Sequence, residues 1–214
     1  MSKASGIDIV VRLYDLADLP YLDRLMFSIV GQADAIPLRL HVMLQRFSFT
    51  EVQAVREATW GLRRLHDRAS VMLHNWDHPA PFDLRVPLLN WGLEVARGRY
   101  VTCVDVHEQL FPQACMTLLA RLDGSQAALA LGGVEAQPAW WWGDVVLPVL
   151  NQAERSISTP IFMADRSRLA PKDCVFRSSK SGSEITEFIE RVGALYGVDT
   201  LCQSDILALR VCPL

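Results

Sequence analysis

Residues 82–112 read FDLRVPLLNWGLEVARGRYVTCVDVHEQLFP and set out a helix, a strand and an acidic exit in one run. Asp83 precedes Val86, Leu89, Leu93 and Ala96, apolar positions at the three-and-four spacing of a helix. Pro87 falls in the first turn, where a missing N–H costs little, and Gly98 ends the helix. Tyr100–Val104 is a continuous apolar run of strand length, as expected of a strand covered on both faces. The chain leaves that strand through Asp105, Val106, His107 and Glu108. Ligands of open α/β sheets collect outside the carboxyl ends of the strands, so an anionic ligand is expected here.

On either side of this stretch the chain alternates strand and helix. Strands are expected over 7–14, 38–44 and 70–73, and helices over 19–30 and 50–65, with Leu22, Leu25, Met26 and Ile29 on one helix face and Thr50 as an N-cap. Residues 74–81 read as a loop, 112–122 as a helix and 127–131 as a further apolar strand. This alternation is the mark of βαβ crossovers and predicts an α/β domain with a mainly parallel central sheet. After Gly133 the pattern breaks, and Trp140, Trp141 and Trp142 stand in a row. Three adjacent rings cannot all enter one core from a regular element. They read either as a sugar-stacking or partner surface, or as a loop folded over the sheet.

A chain of 214 residues, 50% hydrophobic, buries a full core without disulfides or metals, so one domain over 1–214 is expected. The net charge of −3 and the absence of a basic run give no reason to propose nucleic acid as a partner. Residues 1–10 carry no signal-peptide pattern, and no apolar run approaches the roughly 20 residues that span a bilayer, so a soluble cytoplasmic protein is expected. Cys103, Cys115, Cys174, Cys202 and Cys212 are odd in number and contain no C-x-x-C pair, which argues against a disulfide framework or zinc knuckle. His74 and His78 lie in HNWDH, but no third ligand is evident and a non-metal role is favoured.

The central stretch also resembles the glycosyltransferase family 2 pattern, in which a helix bearing LN-G-L-ARG-Y leads into a strand ending D-x-D-D and then L-x-P. Leu89, Asn90, Gly92, Leu93, Ala96, Arg97, Gly98, Tyr100, Asp105, Leu110 and Pro112 match it; His107 replaces the second acid and Glu108 follows. Residues 159–166 and the helix 184–196, EITEFIERVGALY, resemble the acceptor side of the same enzymes. The resemblance implies a GT-A fold with a nucleotide-sugar-binding half, 1–133, and an acceptor-side half, 134–214. It also implies a nucleotide-sugar donor, a carbohydrate or glycan acceptor as in polysaccharide biosynthesis, and a Mn²⁺ or Mg²⁺ ion.

The donor is then expected around Arg12, Tyr14, Asp15, Gln45, Asp83, Arg85, Asn90 and Asp105, and the metal at Asp105 and His107. Arg12 and Arg46 read either as donor-phosphate ligands or as surface residues. In active relatives an Asp following Glu at the start of the acceptor helix deprotonates the acceptor hydroxyl. Ile185 holds that position here, so the base would move to Glu184 or Glu187, which otherwise read as a solvated helix start. Three readings stand: a family 2 glycosyltransferase with an unusual metal site, a catalytically impaired GT-A domain that binds sugar or nucleotide or another protein, and a structural subunit held through the Trp140 to Trp142 region.

Overall fold

The computed structural model describes residues 6–33, 36–61, 67–77, 84–138, 160–178, 183–200 and 206–212. Strand β1 (Ile7–Leu13) pairs in parallel with β2 (Leu38–Gln45) on one side and with β4 (Tyr100–Val104) on the other, and β2 pairs in parallel with β3 (Ala69–Trp76). Successive side chains of β1 point to opposite faces. Ile7, Ile9, Val11 and Leu13 enter one core layer, and Val10 enters the other with Met43 and Cys103. All five residues of β4 are buried, as its continuous apolar sequence predicts.

Helix α1 (Leu19–Val30) buries Leu22, Leu25, Met26 and Ile29, the four residues its spacing selects. Helix α2 (Phe49–Thr59) starts from Ser48, not from Thr50. Glu51 stands at the third helical position, where its carboxylate accepts the Ser48 N–H at 2.7 Å, while Ser48 Oγ accepts the Glu51 N–H. Residues 62–66, expected in the same helix, lie outside the described residues. Strand β3 absorbs His74, Asn75 and Trp76, which were expected in a loop. It pairs with β2 over its full length, and its outer half is only partly buried, so polar residues are tolerated there.

Helix α3 (Arg85–Val95) buries Leu88, Leu89, Gly92 and Leu93; Ala96 is buried with them and Val86 packs against the same core, so the expected face is present and is widened by Leu88 and Gly92 because LLNWGL is apolar almost all round. The helix ends at Val95, with Ala96 as its extended C-cap. Gly98 follows two residues later, where a Cβ would meet the Gly6 carbonyl at 2.6 Å. Past β4 come the short strand β5 (Glu108–Leu110), helix α4 (Ala114–Gly124), β6 (Leu129–Pro138), β7 (Ile161–Asp165), helix α5 (Glu184–Tyr196), β8 (Val198–Asp199) and β9 (Ile206–Cys212).

The sheet runs β3-β2-β1-β4-β7-β6-β9-β5, with β8 also beside β6. Strand β7 is antiparallel to both β4 and β6. Strand β6 pairs with β7 over Leu129–Gly132 and with β9 over Gly133–Pro138, the second ladder shifting register at Gly133/Val134. The segments 1–133 and 134–214 thus share one sheet, because β7 sits between β4 and β6. Helices α1, α2 and α4 cover one face; α3 and α5 cover the other with Phe162, Phe176 and Phe188. Among the described residues, no helix is long and apolar enough to cross a membrane.

Candidate functional site

Four parallel strands deliver their carboxyl ends to one edge. Arg12 is level with Met43, Gln45 with Trp76, and Val11 with Val104, so Arg12, Tyr14, Asp15, Gln45, Arg46 and Asp105 leave the sheet on the same side. Arg12 Nη1 donates to the Arg85 carbonyl at 3.4 Å, and its guanidinium lies 5.4 Å from the centre of the Tyr14 ring. That contact ties the end of β1 to the start of α3. Asp15 caps the short turn Leu16–Asp18, its carboxylate accepting the Ala17 N–H at 2.9 Å.

Arg46 has a φ of 56°, a left-handed conformation unusual for a residue with a side chain. Neighbours hold it there. The Arg46 N–H donates to the Trp76 carbonyl at 2.9 Å, and the Asn75 side chain grips Phe47 through both its N–H and its C=O. Backbone strain of this kind costs about 1–3 kcal/mol and tends to collect at ligand sites.

The acidic turn after β4 is a closed network. Asp105 Oδ1 accepts the His107 N–H at 3.0 Å and lies 3.0 Å from His107 Nδ1, while His107 Nε2 lies 3.2 Å from Asp18 Oδ1. The imidazole also packs on Tyr21, ring centres 4.6 Å apart. Burial would raise the Asp105 carboxyl, but the hydrogen bonds from His107 and the charge of Arg210 hold it down at about 2. The hydrogen bond to Asp105 raises His107 against the opposing effect of burial. Glu108 turns inward. One of its oxygens accepts the Asp105 N–H at 2.9 Å, and the other accepts from Arg210 on β9. Burial pushes Glu108 up, and Arg210 opposes that shift.

This donor set does not fit a divalent cation. Both ring nitrogens of His107 are committed to carboxylates, Glu108 is committed to Arg210, and among the described residues no group of three or more His, Cys, Asp and Glu side chains is arranged to hold a metal ion. Asp18 and Arg210 escape a sequence reading because their roles depend on contacts 89 and 102 residues away. The one local sign of Arg210 is a lone charge within ILALRVC.

The structure separates the two glutamates of α5. Glu184, at its first turn, is buried and lies 3.5 Å from Arg85 Nε, so it joins α5 to the start of α3. Glu187 pairs with Arg191 at 2.6 Å, and Arg191 also donates to the carbonyls of Asp173 and Val175. Ile185 packs against the core beneath. Asn90 spends both ends of its amide on the Phe176 backbone, at 3.0 and 2.7 Å. Asp83, His78 and the Trp140, Trp141 and Trp142 row lie outside the described residues.

Below this edge runs a second polar chain. Asp8, fully buried, accepts from Arg39 Nε at 2.5 Å and from the Gly98 N–H, and lies 3.3 Å from His41 Nε2; His41 Nδ1 lies 3.2 Å from His74 Nε2. His74 therefore partners His41. Burial works to raise Asp8, yet His41, Arg39 and Gly98 together hold it at about 2. Burial and then the neighbouring His41 lower His74.

The fold overlays on solved structures. Staphylococcus aureus TarS 1–349 in complex with UDP-GlcNAc matches over 97% of this chain at 13% identity, with a TM-score of 0.64. The mannosyltransferase PcManGT from Pyrobaculum calidifontis, in complex with GDP-Man and Mn²⁺, matches over 96% at 13% identity, with a TM-score of 0.66. The fold is of the GT-A type. This GT-A chain spans 58% and 56% of the length of those two structures. No family model and no curated protein matches its sequence.

Proposed function

We propose that the chain binds a nucleotide sugar at the carboxyl edge of its parallel strands and transfers the sugar to an acceptor hydroxyl of a carbohydrate or glycan. The observation that carries this reading is the Glu184–Arg85 bridge. It brings a buried carboxylate from the acceptor-side helix to the start of α3, beside the edge where β1, β2 and β4 end. The complexes of the two similar structures with UDP-GlcNAc and GDP-Man support the donor class. Arg12 and Arg46 take the diphosphate, Tyr14, Asp15 and Gln45 border the nucleoside, and Arg85, Asn90 and Asp105 complete the cleft. In the transfer, the acceptor oxygen bonds to the anomeric carbon as the bond from that carbon to the diphosphate oxygen breaks. The hydroxyl proton goes to Glu184, with Glu187 orienting Arg191 behind it.

Calorimetric titration with UDP, GDP and other nucleoside diphosphates tests the binding. Donor turnover by wild type and by Glu184→Gln tests the base, whose loss lowers the rate by about 10²- to 10⁴-fold. A second reading, a GT-A domain that binds the nucleotide sugar without turnover and serves as a binding or interaction module, is favoured by Ile185 at the usual base position and by the Glu187–Arg191 pair. Nucleotide binding with no turnover in wild type selects it. No heat with any nucleotide overturns both readings.

A further inference from the structure

We infer that this site binds its nucleoside diphosphate without a divalent cation, because His107 already occupies the space between Asp105 and Asp18 where an ion would sit. The inference rests on the nucleotide-binding reading above. A Mg²⁺ or Mn²⁺ ion bridging a protein and a diphosphate takes open carboxylate oxygens from the protein. Here the imidazole spans the two carboxylates, 3.0 Å from Asp105 Oδ1 and 3.2 Å from Asp18 Oδ1, and Tyr21 backs the ring on one side.

The next acid along offers no replacement. Glu108 is buried, and its two oxygens are turned to Arg210 and to the Asp105 N–H. Asp105 Oδ1 already accepts the His107 backbone N–H as well as facing its ring. An ion placed between the two carboxylates would have to displace the imidazole from both Oδ1 atoms. The turn is closed by its own side chains, and the positive charge that meets the diphosphate comes from the arginines at the ends of β1 and β2, Arg12 and Arg46.

The closure also predicts how to open it. His107→Asp removes the bridge and leaves three carboxylates, those of positions 18, 105 and 107, around the vacated space. Two measurements on the full chain test the inference. The first is the dissociation constant of UDP and of GDP by calorimetry, in EDTA and in Mn²⁺. The second is the free-Mn²⁺ signal by electron paramagnetic resonance as protein is added without nucleotide.

Wild type is expected to bind nucleotide with constants that agree within about two-fold in the two conditions, and to leave the Mn²⁺ signal unchanged. His107→Asp is expected to deplete the signal and to bind nucleotide about tenfold or more tightly with Mn²⁺ than with EDTA. Wild-type binding that tightens by about tenfold or more with Mn²⁺ overturns the inference and leaves the nucleotide reading intact. Depletion of the Mn²⁺ signal by wild-type protein alone overturns it independently of any nucleotide and of whether the variant folds. Absence of nucleotide binding in both conditions overturns the reading and the inference together.

Discussion

Gly92 faces the middle of β1, where an added Cβ would overlap the Val10 side chain. Helix α3 therefore rests on the sheet at a distance set by that one hydrogen. Gly92→Ala forces the helix outward or Val10 out of its rotamer, and overpacking of this kind costs about 1–3 kcal/mol, read as a lower urea midpoint at unchanged slope. Gly98 has the same meaning at the other end of the sheet, where its N–H reaches Asp8 because no side chain intervenes. The sequence shows such glycines as matches to a motif, and reads Gly98 as the end of a helix. What they touch becomes visible only when β1 and α3 are brought together. Asp105 and His107 were legible as a pair of interest from their place after a strand. Their closure was not, since Asp18 supplies half of it from a different element.

At the scale of elements, the clearest dependence is that of β5 on β9. The two strands are antiparallel, and Glu108 stands opposite Arg210. Arg210→Met leaves a buried carboxylate without its counter-charge, a loss of about 3–5 kcal/mol when such a pair is broken from one side. The double variant Glu108→Gln with Arg210→Met recovers part of that loss, and a cycle of the four proteins by urea unfolding measures the coupling. Single loss without recovery in the double variant would mean that Arg210 acts through its packing rather than its charge. The short β5 and the two-residue β8 could not be read from periodicity, because neither is long enough to show one. The longer elements could be read, and α1 and β4 match their expected bounds because their apolar patterns are unbroken. Helix α5 also matched in extent, yet its two glutamates looked alike in sequence. The separation between them comes from Arg191, one turn on, and from Arg85 across the cleft.

The whole molecule carries its polar networks inside the sheet, so its stability depends on pH. Asp8 is fully buried with a folded pKa of about 2, against an ordinary value of about 3.8. Its depressed pKa stabilises the fold by about 2 kcal/mol above pH ~4, a contribution lost as the pH falls through 2. His74, also depressed, stabilises the fold fully above its ordinary value of 6.5 and loses that contribution as the pH falls below it. Urea midpoints are thus expected to fall in two steps on acidification, with His74→Gln removing the upper step and Asp8→Asn lowering the plateau while flattening the lower step. A single smooth decline in wild type would show that neither group is coupled to folding as its surroundings imply. Strand β9 leaves the ribosome after every other described element, and until it arrives the second half of β6 lacks its β9 partner and Glu108 lacks Arg210. A nascent chain can therefore assemble β1 to β4, with their shared edge, well before its acidic turn is locked. A product stalled or nicked before β9 would be a half-formed sheet, its β6 edge presenting backbone donors and acceptors that chaperones and proteases can recognise.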